Sequence, residues 1–169
     1  EAASQKVGTL VEAGGVLSNE MGAFGSGPSY VFTRLNDLKP EMIAEAAVKS
    51  GARSVAYTYN DPVIFLEYAV DAAQACRARG VKNVAVSAGY ICAEPRVEFF
   101  KYMDAANIDL KAFTQEFYRK LCSADLAAVQ ETLMYLKHET DVWFEITDLL
   151  IPGENDSEHE IEAMTQWIV

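Results

Sequence analysis

The sequence is short of the residues that staple or metallate a small fold. Its three cysteines, Cys76, Cys92 and Cys122, form no CxxC or CxxxC motif and are too few for a disulfide framework. Neither a metal site nor a catalytic thiol is therefore expected from them; Cys76 reads as core, and Cys92 as a loop residue after a strand end. Only two histidines are present, His138 and His159, and both fall in an acidic stretch that reads as solvated. No apolar run approaches the roughly 18–20 residues that cross a bilayer. The opening residues Glu1-Ala2-Ala3-Ser4-Gln5-Lys6 lack the basic-then-apolar start of a secretory signal. Basic residues are scarce too: 14 Lys plus Arg stand against 25 Asp plus Glu, a formal charge of −11. Residues 138–169 hold nine of those acids and no Lys or Arg. A chain charged this way repels phosphate backbones and anionic lipid, so no nucleic-acid or membrane partner is expected. The acidic end reads as a solvated helix face. Together these absences point to a cytoplasmic, soluble α/β or mixed domain.

Half of the 169 residues are apolar and 23% are charged, which suits one domain with a real core. Six of the ten glycines fall between Gly8 and Gly27. Their spacing is not GxGxxG and no clear strand leads into them, so residues 1–37 are expected to be a Gly-rich irregular segment, not a phosphate loop. Residues 38–169 are expected to form the regular domain.

There the pattern alternates. Pro40 suits a first helical position, and a helix to Ser50 is stopped by Gly51. Strands are expected at 54–59, 83–87, 107–111 and 142–150. Between them the periodicity predicts helices at 63–79, from Pro95 to 103, at 115–121 and at 125–138. The 63–79 helix sets Phe65, Ala69, Ala72 and Cys76 on one face, and the 125–138 helix does the same with Leu126, Val129, Leu133 and Leu136. Ser157 with Glu160 forms a capping box for a last helix burying Ile161, Met164 and Ile168. Four strand–helix units argue for a parallel sheet, either doubly wound or an arc of a (β/α) barrel. Both architectures place ligands at the carboxyl ends of the strands.

Those ends are polar. Thr58 and Asn60 share a face, followed by Asp61 and Pro62; Ser87 precedes Ala88-Gly89-Tyr90. Asp109 and Lys111 point one way while Leu110 points the other, and Glu145 and Thr147 share a face beside Asp148. A sheet kept only for structure is more often apolar on both faces at these positions. Plainer readings stand beside the functional one: Asp109 and Lys111 as a self-satisfying ion pair, Lys111 paired with Glu145, Asn60-Asp61-Pro62 as a turn, and Gly89 as a backbone hinge.

From about Leu38 onward the chain resembles radical S-adenosylmethionine (SAM) enzymes of the pyruvate formate-lyase activating enzyme type. Within them it is most similar to the subgroup named for AmmeMemoRadiSam systems. Four segments carry the resemblance: residues 54–62 (SVAYTYNDP), 104–111 (DAANIDLK), 117–122 (FYRKLC) and 151–157 (IPGENDS). The resemblance implies a cytoplasmic, partial (β/α) barrel of the radical-SAM type with about four βα units, holding SAM at the carboxyl ends of its strands. It makes Thr58, Asn60 and Asp61 the loop for the cofactor's amino-acid end, with Asp61 where the subgroup has Glu. Ser87 and Gly89 stand in the place of a Thr-Asn-Gly-Tyr segment, Asp109 and Lys111 match residues that contact the cofactor's polar groups, and Thr147 matches a later strand.

The family's [4Fe–4S] cluster sits on a CxxxCxxC loop, which this sequence does not contain. Glu1, Ser4 and Gln5 resemble the Glu-x-Ser-Gln that follows that loop, one residue over-long, so the chain is expected to begin just downstream of it. Residues 6–33 then have no family counterpart. The expectation is a cluster-free part of a hydrogen-abstracting activating enzyme, inactive by itself, whose intact parent acts on a protein or small-molecule substrate. Two alternatives are a non-catalytic SAM- or nucleotide-binding fragment and a Schiff-base aldolase using Lys111.

Overall fold

The computed structural model describes residues 39–169 and, before them, three strands at 9–12, 15–21 and 28–34. One sheet runs through the described residues: β1 (Thr9–Glu12), β2 (Gly15–Met21), β3 (Pro28–Arg34), β4 (Ser54–Tyr57), β5 (Lys82–Ser87), β6 (Ala105–Asp109) and β7 (Trp143–Thr147). Their spatial order is β3-β2-β1-β4-β5-β6-β7. β4 to β7 are parallel neighbours in chain order, the expected four βα units. β1 adds to β4 in parallel, and β2 and β3 follow as antiparallel strands. The Gly-rich segment expected to be irregular thus contains three strands. Its Tyr30-Val31-Phe32-Thr33 run is good strand sequence that pairs with the preceding β2, and the non-local contact, which glycine spacing does not reveal, is the pairing of β1 with β4. The glycine cluster at 22–27 lies outside the described residues.

The connections are α1 (Pro40–Ser50), α2 (Leu66–Ala78, led in by a 3₁₀ turn at Pro62–Phe65), α3 (Ala93–Phe100), α4 (Gln115–Phe117, continuing as a π turn at Tyr118–Cys122), α5 (Leu126–Glu139) and α6 (Glu158–Ile168). Pro40 opens α1, and Gly51, in the left-handed region at φ 68°, closes it by donating to Ala47 and Val48 carbonyls. Asp61 caps the 3₁₀ turn by accepting from the Val63 N–H. Pro95 does not open its helix as expected; α3 starts two residues earlier, with Cys92 as its N-cap.

Alternation along the strands divides the sheet into two faces. Val55, Tyr57, Ala85, Ala106 and Ile108 are buried against helix residues such as Ala69, Ala73, Phe99 and Val129. The opposite face, with Ala56, Val84, Asn107, Asp109, Glu145 and Thr147, is half-buried or exposed. The core therefore lies between the sheet and its helices, and Leu110 continues it beyond β6 with no exposure.

Candidate functional site

The open face becomes polar toward the carboxyl ends of β6 and β7. In-register pairing sets Asn107 beside Glu145 and Asp109 beside Thr147. The Asn107 amide donates to Glu145 Oε1 at 2.8 Å and to Thr147 Oγ1 at 2.6 Å. Lys111 Nζ lies 2.5 Å from Asp109 Oδ2, and the two side chains stay 38% and 27% exposed. Lys111 thus takes Asp109, not Glu145, as its partner. A recess of about 270 Å³ opens beside Lys111, lined also by Ala88, Tyr90, Tyr118 and Cys122.

The exits of β4 and β5 are tied to each other. Strand β4 ends at Tyr57, two residues before the expected end, because Tyr59 turns to φ 73°. The period-two pairing of Thr58 with Asn60 therefore does not apply; both are half-buried in the exit loop. Asp61 reaches across to β5: its carboxylate accepts from Ser87 Oγ at 2.9 and 3.0 Å and from the Ala88 N–H at 2.8 Å. Ser87 is on the helix-packed face and nearly fully buried, so its hydroxyl serves Asp61. Gly89 follows at φ 68°, with its N–H donating to Ser87 Oγ and its carbonyl accepting from Thr132.

Behind Lys111 the loops after β6 and β7 are locked together. Asn155, almost fully buried, donates to the Lys111 carbonyl at 2.8 Å and the Leu149 carbonyl at 3.1 Å, and accepts from the Ile151 N–H. Tyr118 Oη accepts from the Lys111 N–H at 3.0 Å. Burial, above all, pushes the Tyr118 phenol up to about 12; the Lys111 N–H pulls the other way, and Cys122, Asp148 and Asp109 add to the rise. Ser157 caps α6 as expected, accepting from the Glu160 N–H. Glu160, however, does not close the box. Its carboxylate accepts from the Phe113 N–H at 2.6 Å and is buried, whereas Ile161, expected in the core, is half-buried and Ile168 is exposed. Met164 is buried as expected. Asp148 Oδ2 is buried without a hydrogen-bond partner, and its carboxyl is raised by burial first, then by Glu160, while Lys111 opposes.

The structure thus brings Asp109, Lys111 and Thr147 together at one end of the open face. It holds Asp61, Ser87 and Gly89 in a second group at the neighbouring exits. Sequence reading missed Asn107, Asn155 and Thr132. Asn107 was visible as a member of the Asn107-Asp109-Lys111 alternation; the other two act through contacts 43 or 44 residues away.

Comparison with known proteins matches residues 26–167 to the Radical SAM superfamily. The chain is 36% identical over 121 residues to the uncharacterized protein MJ0808 of Methanocaldococcus jannaschii, covering 72% of this chain and 35% of that protein. It spans about a third of the length of this curated relative. Among solved structures, a domain of pyruvate-formate lyase-activating enzyme from Bacteroides vulgatus is similar in fold, with a TM-score of 0.61 at 19% identity over 68% of this chain and 70% of that one. An archaeal TYW1 is similar at a TM-score of 0.54 and 16% identity, over 79% and 55% of the two chains. With four in-order βα units and a polar mouth already placed by the structure, the family match over most of its length makes this chain a member of the radical SAM superfamily.

Proposed function

We propose that this chain is the part of a radical SAM enzyme that holds SAM across the carboxyl ends of β4–β7. Its parent is an activating enzyme of the AmmeMemoRadiSam-associated subgroup, working in the cytoplasm. The observation that carries the reading is the partly exposed Asp109–Lys111 pair on the open face, flanked by Asn107, Glu145 and Thr147. SAM carries an ammonium, a sulfonium, a carboxylate and a ribose diol. One acid, one base and neutral hydrogen-bonding groups side by side suit that set of groups. Asp109 would take a cationic group, Lys111 the carboxylate, and Thr147 a hydroxyl, while Asp61 with Ser87 and Gly89 keeps the neighbouring exit in place.

In this family a [4Fe–4S] cluster would supply the electron for reductive cleavage of SAM. The donors of this chain do not fit that cluster: Cys76 is buried, Cys92 and Cys122 are exposed, and no metal-binding group of Cys, His, Asp or Glu forms among the described residues. No redox step is therefore assigned to these residues. Exposed Tyr59, Tyr90, Leu149 and Leu150 place an apolar or aromatic residue just past the ends of β4, β5 and β7. Such a rim supports a protein as the substrate. No helix among the described residues is long and apolar enough to cross a membrane. A Schiff-base reaction at Lys111 is less well supported, since its ammonium rests on Asp109 and offers no free electron pair.

Titration calorimetry of the chain with SAM tests the reading. Saturable heat is expected, and Asp109→Ala weakens binding by about tenfold or more, the worth of a charged hydrogen bond. Equal affinity in both proteins removes Asp109 from the site; no heat with the wild type removes the SAM reading.

A further inference from the structure

Thr132 lies in the middle of α5 with no exposure, on a helix whose sequence marks only a packing face. Its one hydroxyl hydrogen has two carbonyls in reach. One is Ala128 O, a turn back in its own helix at 3.1 Å; the other is Gly89 O at 2.7 Å. A helical Thr ordinarily bonds back to the i−4 carbonyl. Here the shorter contact, at the usual O–H···O separation, goes to Gly89. Arg96 Nη1 donates to Thr132 Oγ1 at 3.5 Å, so the hydroxyl accepts from the guanidinium and keeps its own hydrogen for a carbonyl. Arg96 is itself 9% exposed, stacks its guanidinium 5.2 Å from the Tyr135 ring centroid, and has the Glu131 carboxylate no nearer than 4.0 Å.

Gly89 is held from its other side too. Its N–H donates to Ser87 Oγ, and the Ser87 hydroxyl donates to Asp61. A run of hydrogen bonds therefore passes from Arg96 through Thr132, Gly89 and Ser87 to Asp61. It links α3, α5 and the exits of β4 and β5, elements that meet only in the folded chain.

We propose that Thr132 is a positioning residue for the mouth: through Gly89 and Ser87 it sets the Asp61 carboxylate and the Ala88–Gly89 turn, and Arg96 sets the direction of its hydroxyl. The link to a bound cofactor rests on the SAM reading above; the loop-setting role does not. Thr132→Val keeps the volume and removes the hydroxyl, leaving the Gly89 carbonyl buried and unpaired. Hydrogen exchange read by mass spectrometry on the ligand-free chain should show segments 58–64 and 86–91 exchanging about tenfold faster, with β6 unchanged. Thr132→Ser should restore the wild-type rates. Arg96→Met, which keeps the hydroxyl and loses its guanidinium neighbour, should give the same pattern at smaller amplitude and serves where Thr132→Val does not fold. Unchanged exchange at 86–91, or a uniform rise across the chain, overturns the proposal.

SAM affinity supplies the second readout. Thr132→Val should weaken binding by about tenfold and Thr132→Ser should recover it, as expected for a lost hydrogen bond felt at the site. A loosened loop with wild-type affinity reduces Thr132 to a structural role and overturns the proposal. A wild-type chain that binds no SAM instead removes the SAM reading, and the exchange pattern still decides the role of Thr132 in setting the loop.

Discussion

Gly89→Ala tests how closely the β5 exit is packed. Gly89 has φ 68°, and a Cβ there would stand 2.9 Å from Ile108 Cγ2, 3.5 Å from Val129 Cγ1 and 3.7 Å from Thr132 Cγ2. Two costs combine. A left-handed conformation costs a non-glycine residue about 1–2 kcal/mol. Forcing a methyl against the β-branched Ile108, itself fully buried, costs about 1–3 kcal/mol more. The expected loss of about 2–5 kcal/mol is a large part of the ~5–15 kcal/mol that holds a domain together. Gly80 supplies the control, because it has φ 72° and nothing within 4 Å of the added carbon. Gly80→Ala carries the backbone cost alone. Both variants also stiffen the unfolded chain, an effect that cancels in their difference. Urea unfolding, compared at a common slope, should place Gly89→Ala below Gly80→Ala by about 1–3 kcal/mol. In an Ile108→Ala background the gap should shrink, since the clashing methyl is gone. Equal midpoints for the two glycine variants would refute the close approach of Gly89 to β6.

Two further outcomes follow from the buried groups. Burial and Glu160 raise the Asp148 carboxyl, so its ionised form costs stability above the folded value, and that cost vanishes as pH falls toward the unfolded value near about 4. Asp148→Asn should therefore melt higher than wild type at neutral pH, by under about 1 kcal/mol because solvent screens the group, with the gain fading in acid. A gain independent of pH contradicts this assignment. Cys76 is buried and its thiol is pushed up to about 11 by burial, with Tyr57 opposing, whereas Cys92 and Cys122 are exposed. A disulfide-exchange reagent should label two thiols in the native chain and the third only in denaturant; three fast thiols would contradict the core placement of Cys76.

How far the sequence can be read depends on whether a feature is local. The helix from Pro40 to Gly51 was legible because its start and stop are set within a turn by proline and a left-handed glycine. The Asp109–Leu110–Lys111 alternation was legible because strand geometry alone separates the faces, and the structure buries Leu110 while pairing its neighbours. The end of β4 was not, since Tyr57-Thr58-Tyr59 are all good strand formers and only the positive φ at Tyr59 stops them. Glu160 illustrates the same limit. Its spacing from Ser157 predicts a reciprocal cap, but the Phe113 N–H offers the carboxylate a competing partner 47 residues away. Thr132 and Asn155 look like any helix-core threonine and any turn asparagine until the elements they join are brought together.

The polar row on the open face is poorly explained by stability. Asp109 and Lys111 remain about a third exposed, and ion pairs of that kind contribute about 0–1 kcal/mol. Apolar residues of similar volume commonly serve as well or better in packed positions. On the other face of the same strand Ala106 and Ile108, with Leu110 just beyond it, already supply the packing, so β6 does not need Asn107, Asp109 or Lys111 to stay in the sheet. A row of groups that adds little to folding yet meets at the carboxyl ends of parallel strands is what a ligand site requires. The two roles separate experimentally. Asp109→Ala should leave the melting temperature within a degree or two while SAM affinity falls about tenfold, whereas loss of fold and affinity together would make the pair structural.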